Sequence, residues 1–140
     1  MNLENFYLIE LPEIEDGIDG TISVAEGSHH IPFEIKRVYY IYGLENANAI
    51  RGKHAHKHLE QVIFCIHGSF LLGVDDGIHR KEMLMNRRNQ GVYLGTGLWH
   101  TMTQFSKECV LLVLASDYYD ESDYIRDYSE FKRYILNKTA

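Results

Sequence analysis

The chain is 140 residues long and short of both proline and cysteine, with two of each. Two cysteines cannot build the disulfide framework of a small secreted scaffold. Cys65 and Cys109 each sit inside an apolar run, which predicts two buried, reduced thiols. No apolar stretch approaches the roughly 18–20 residues of a membrane-spanning helix, and Met1–Leu11 carries neither a basic start nor a cleavage signal. These absences predict a cytoplasmic protein with no membrane partner. Positive charge is scarce as well: 14 Lys plus Arg against 20 Asp plus Glu leave a net −6, which argues against a nucleic-acid-binding face. An anionic small ligand would therefore need a local cluster of arginine or lysine. Histidine, by contrast, is plentiful: there are eight, three of them within Lys53–Leu59.

The length suits one domain, residues 1–140, and 45% apolar with 24% charged residues is globular composition. Glycine, aspartate and asparagine punctuate short apolar or alternating runs at Thr21–Ala25, Ile35–Tyr42, Gln61–Ile66, Phe70–Val74, Val92–Leu94 and Cys109–Ala115. The last run is continuously apolar, as expected of a strand buried on both faces. Gly68-Ser69 and Asp75-Asp76-Gly77 are turn signals. Many short strands with close turns predict an all-β sandwich or small barrel. The C-terminus differs. In Asp120–Asn137, the residues Tyr124, Tyr128, Phe131 and Ile135 recur at i, i+4, i+7 and i+11. This spacing predicts a helix over 120–137, N-capped by Ser122, that packs on the barrel or on a partner subunit.

Chemistry points to Arg51-Gly-Lys-His54-Ala-His56-Lys-His58-Leu-Glu60. If this segment is extended, alternation places His54, His56 and His58 on one face and Lys53, Ala55 and Lys57 on the other. Two imidazoles about 7 Å apart on one face can reach the same small ligand. His100 follows Gly95-Thr-Gly97-Leu-Trp far downstream. His29, His30, His67 and His79 read as ordinary satisfied rings.

His54-x-His56-x-x-x-Glu60, followed by Gly68, resembles the first motif of the cupins. Gly95-Thr-Gly97-Leu-Trp-His100-x-x-x-Gln104 resembles the second. In metal-binding cupins the two His, the Glu and the late His hold a divalent ion, and such ligands suit Zn, Fe, Mn or Ni. On a wider window the chain resembles the sugar 3,4-ketoisomerases. The matching segments are Ile31-Pro-Phe-Glu-Ile-Lys-Arg37-Val-Tyr39-Tyr40-Ile41, Arg51-Gly-Lys-His54-Ala-His56-Lys-His-Leu-Glu60-Gln61, Trp99-His100 and Ala115-Ser-Asp117-Tyr-Tyr119-Asp-Glu-Ser-Asp-Tyr-Ile-Arg126, of which Arg-Gly-x-His-Ala-His and Ser-Asp-Tyr-Tyr-Asp are the specific parts. The resemblance implies a cupin or jelly-roll β-sandwich barrel that isomerises dTDP-4-keto-6-deoxyglucose without metal or other cofactor. The pathway implied leads to 3-amino-3,6-dideoxyhexoses of lipopolysaccharide or S-layer glycans. It also implies a homodimer that exchanges N-terminal strands, here Met1–Val24. A metal-dependent cupin enzyme and a non-catalytic nucleotide-sugar-binding cupin are the alternatives.

Moving a carbonyl from C4 to C3 of a hexose requires a positioned base and stabilisation of the developing enolate. Imidazole, with an ordinary pKa near 6.5, can accept a proton at one carbon and return it at the next. The resemblance assigns His54 as the base at C3, His56 as the shuttle toward C4 or its oxygen, and His100 to the far wall of the sugar pocket. Arg37 and Arg51 are either contacts to the diphosphate or members of structural ion pairs. Tyr39 is either a core aromatic or a hydroxyl donor to substrate, and Glu60 is either a metal ligand or an orienting partner of a histidine. His100 after the tryptophan resembles isomerases that give the galactose-like C4 configuration. Asp19 stands where that type is expected to have arginine, so the two clues diverge.

Overall fold

Turn residues divide the chain into short strands, described by a computed structural model for residues 5–139. In chain order these are β1 (Phe6–Glu10), β2 (Glu13–Glu15), β3 (Thr21–Ser23), β4 (Arg37–Ile41), β5 (Arg51–His56) and β6 (Gln61–His67). They continue with β7 (Phe70–Asp75), β8 (Arg80–Met85), β9 (Gln90–Leu94), β10 (Trp99–Thr103), β11 (Val110–Ala115) and β12 (Tyr124–Ile125), before helix α1 (Tyr128–Thr139). Two five-stranded sheets, β1-β9-β6-β11-β4 and β12-β5-β10-β7-β8, have antiparallel neighbours throughout. The predicted all-β architecture with a C-terminal helix is what forms.

Side-chain alternation builds the core. On β6, Ile63 and Cys65 point between the sheets, while Val62 and Phe64 point outward beneath Ile31 and Phe33 of the connection before β4. On β11, Leu111 and Val113 face inward and Leu114 outward. Both strands are thus covered on two sides, which accounts for the unbroken apolar run at Cys109–Ala115. Both cysteines are free and buried, with Sγ atoms 3.8 Å apart. Burial pushes the Cys65 thiol up to about 12, so it stays protonated.

The predicted helix over 120–137 is a correction. Asp120 caps a 3-10 turn over Glu121–Asp123 by accepting from the Ser122 backbone N–H, and Tyr124 and Ile125 then pair with His56 and Ala55 of β5. The α-helix starts only at Tyr128, where the Asp127 carboxylate accepts from the Glu130 N–H. Ser122 is therefore no α-helical cap, and the i, i+4 match of Tyr124 to Tyr128 spans a strand and a helix. Phe131, fully buried, seats α1 against Ala55, Trp99 and Ile125.

At the other end, β1 pairs with β9 of its own chain. The β2–β3 hairpin pairs only with itself among the described residues, and Ile14, Ile18 and Ile22 on it are exposed. Met1–Glu4, the start of the segment expected to be exchanged, lie outside the described residues.

Candidate active site

The site begins with an irregularity in β5. Opposite β10, His100 faces His54 while Thr101 faces Gly52, so Lys53 is an extra residue in the ladder. Gly52 (φ 79) and Lys53 (φ 57) both take left-handed backbone, the signature of a β-bulge. Only glycine suits position 52, because a Cβ there would stand 2.9 Å from the His100 carbonyl oxygen. The bulge cancels one step of alternation. Arg51 therefore lines the same cavity as His54, whereas strict alternation would have opposed them.

Three imidazoles meet at this point. The His54 ring lies 5.0 Å from that of His56 and 4.6 Å from that of His100, centre to centre. His54 Nδ1 is 3.0 Å from the Gly52 carbonyl oxygen. A carbonyl can only accept, so Nδ1 carries the proton and the lone pair sits on Nε2. Burial holds His54 down to about 4, against a lesser opposing effect of the Gly52 hydrogen bond. Burial and the neighbouring His54 hold His56 down to about 4, opposed by Asp123. His100, fully enclosed and beside both other rings, is held well below the ordinary histidine range by burial first. All three are neutral at pH 7. His56 Nδ1 lies 3.3 Å from Asp123 Oδ2, yet neither of its ring nitrogens has an aligned hydrogen bond among the described residues.

A cavity of about 400 Å³ opens over His54. Arg37, Tyr39 and Arg51 line it with Gly52, Met102 and Tyr124. The Arg37 guanidinium lies 5.3 Å from the Tyr39 ring centre and 5.8 Å from that of Tyr119. Its Nε and Nη2 are buried without a hydrogen-bond partner among the described residues. Buried donors normally find acceptors, so two orphaned N–H groups beside an open cavity mark a place for an anion.

The remaining wall comes from the segment that the helix expectation misassigned. Tyr124 packs its ring 4.9 Å from His54 and 4.4 Å from His56. Arg126 covers Tyr124 at 4.3 Å and is gripped by both Glu121 carboxylate oxygens. Asp123 accepts from the backbone N–H groups of His58 and Leu59, fixing the loop after β5. Sequence reasoning missed Tyr124, Asp123 and Arg126 as site residues. The segment Ala115–Arg126, which carries part of the family resemblance and contains all three, was the available signal.

The structure thus brings Arg37, Tyr39, Arg51 and His54 together around the cavity, while His56 and His100 are buried against the His54 ring and do not line it. Two expectations need correction. His58 lies beyond the end of β5, exposed, so it does not share the face of His54 and His56. Among the described residues Glu60 pairs with no histidine: it accepts from the Tyr93 hydroxyl, and Tyr93 belongs to the outer layer of the β6 sheet. The inward position at that level is Gln61, whose amide bonds to Tyr39. A two-His, Glu, His metal set is therefore one carboxylate short, and the residues do not fit it.

A two-sheeted antiparallel barrel with neutral histidines and unpaired arginine donors at one cavity defines an enzyme of cupin type. Residues 4–136 match the family model described as FdtA, WxcM-like, C-terminal, and the chain belongs to that family. It is 49% identical over 116 residues, 83% of each chain, to the TDP-4-oxo-6-deoxy-alpha-D-glucose-3,4-oxoisomerase of Aneurinibacillus thermoaerophilus. Among solved structures it is similar to the 3,4-ketoisomerase QdtA of Thermoanaerobacterium thermosaccharolyticum, in a histidine-to-asparagine variant with TDP-4-keto-6-deoxyglucose. The two share 40% identity and a TM-score of 0.92 over 96% of both chains. It is also similar to the TDP-quinovose 3,4-ketoisomerase WlaRB of Campylobacter jejuni, at 43% identity and TM-score 0.87 over 93% of this chain and 98% of the other.

Proposed function

We propose that this enzyme converts dTDP-4-keto-6-deoxy-D-glucose into the dTDP-3-keto-6-deoxy sugar by moving one proton from C3 to C4 through an enediol. The observation that carries the reading is the 3.0 Å approach of His54 Nδ1 to the Gly52 carbonyl oxygen, which commits Nδ1–H and leaves Nε2 as a base. Nε2 takes the C3 proton while the C4 carbonyl oxygen gains one, giving the enediol. The O3 proton then leaves as C3 becomes the carbonyl, and C4 receives a proton from the histidine pair, whose N–H groups exchange with solvent. Carbon-bound and oxygen-bound protons balance with no oxidant. His56, beside His54, serves the transfer toward C4 or its oxygen. His100 packs against the His54 ring and backs it, and Tyr39 donates its hydroxyl to substrate. Arg37 and Arg51 take the diphosphate, for which the partnerless N–H groups of Arg37 are the support. The 3-keto product is poised for transamination to a 3-amino-3,6-dideoxy sugar.

The direct test is incubation with dTDP-4-keto-6-deoxyglucose in D2O followed by NMR. Deuterium at C4 and a 3-ketone are expected, with no such product from His54→Asn even though TDP still binds. A fully active His54→Asn variant would falsify the assignment. The same spectrum reads the C4 configuration, for which His100 favours the galactose-like product. The same reading includes a homodimer in the cytoplasm. An isolated two-stranded hairpin is marginal in water, so β2–β3, with three exposed isoleucines, calls for the surface of a second copy.

A further inference from the structure

The first residue of β6 is one its surroundings do not call for. Gln61 points inward with Ile63 and Cys65, stands opposite Leu94 and Ala115, and is 1% exposed. Methionine or leucine would fill this volume without desolvating an amide, and a buried amide is costly unless its groups are hydrogen-bonded. Gln61 Nε2 donates to the Tyr39 hydroxyl oxygen at 2.9 Å.

That bond determines what Tyr39 can do. A phenol has one proton to give and lone pairs to receive. With the amide on its accepting side, the Tyr39 O–H is left to donate, and Tyr39 lines the cavity that contains His54. Arg37, two residues earlier on the same face of β4, lies over the ring and holds it from another side. Burial keeps the phenol above its ordinary range, so the proton is present at neutral pH.

We propose that Gln61 is a positioning residue that acts through Tyr39, holding the phenol so that its O–H donates to the sugar oxygen where charge develops as His54 removes the C3 proton. The inference rests on the ketoisomerase reading. It also explains why an amide rather than a carboxylate occupies the inward position next to Glu60. A carboxylate at 61 would itself accept the Tyr39 proton and turn the donor away from the sugar.

The experiment is a double-mutant cycle on the full chain, with kcat and KM measured separately and TDP binding followed by calorimetry. Gln61→Glu is expected to lower kcat as far as Tyr39→Phe does, about 100-fold, the scale for loss of one preorganised donor to an oxyanion. Gln61→Met is expected to lower kcat roughly tenfold by releasing the phenol, a smaller loss on that same scale. KM and TDP affinity should stay within about twofold for both. In a Tyr39→Phe background, Gln61→Met should have no further effect. Additive losses in the cycle, or a Gln61→Glu enzyme as fast as wild type, would overturn the proposal. If Gln61→Glu does not fold, the Gln61→Met cycle still decides. A wild-type protein without turnover would instead refute the ketoisomerase reading, so the two failures are separable.

Discussion

Burial of three imidazoles in one cluster sets how this protein responds to acid. An exposed histidine is protonated below about pH 6.5, whereas His54 and His56 are held near 4 and keep their lone pairs well below that. The pH profile of kcat/KM should stay flat from about pH 8 to about 5.5 and fall only toward 4, because the base stays unprotonated down to its own pKa. A profile that breaks near 6.5 would mean that the base is an exposed group. Stability follows the same shift. Between about 4 and 6.5 the unfolded chain binds more protons than the folded one, so this contribution is complete above about pH 6.5 and is lost as pH falls toward 4. Thermal denaturation should show a falling Tm over that window, and His56→Asn should flatten the slope by removing one of the titrating groups.

At the level of elements, the parts legible in the sequence are those where periodicity and packing agree. The runs leading into β6, β7 and β11 have the composition that two-sided or one-sided burial demands, and the spacing of His54 and His56 survives on one face of β5. Two features defeat the same logic. A bulge cancels alternation, so Arg51 joins His54 through the backbone of Gly52 and Lys53 and not through sequence parity. The stripe from Tyr124 to Ile135 has helical spacing, but strand pairing to β5 captures its first member and puts it in the site. Histidine identity located the chemistry, while the Tyr124 wall and the Gln61 support behind Tyr39 depend on contacts made far away in sequence. Gly52→Ala should cost about 1–3 kcal/mol from left-handed strain alone. The added clash with the His100 carbonyl should unseat His54, seen as a lower Tm with activity reduced disproportionately. Phe131→Ala, which empties the contact of α1 with Trp99 and Ile125, should cost about 3–5 kcal/mol in denaturant unfolding.

At the scale of the whole molecule, the exposed hairpin makes a statement about assembly. Ile14 and Ile22 face each other across β2 and β3, and Ile18 at the tip is fully exposed. Light scattering should find a dimer, and Ile18→Lys with Ile22→Lys should shift it toward monomer while each barrel stays folded. A wild-type monomer would refute the exchange. The opposite end of the chain has a different consequence. The wall that carries Tyr124 is held by a two-residue strand, by the Asp123 carbonyl and carboxylate accepting from the Lys57, His58 and Leu59 N–H groups, and by the small cluster around Phe131. The barrel, by contrast, rests on a large inter-sheet core. Such a strap opens as a unit at lower free energy than the barrel. Amide deuteration should therefore reach Lys57 and Tyr124 before β6 and β11, and heating should silence the enzyme while its sheets are still intact.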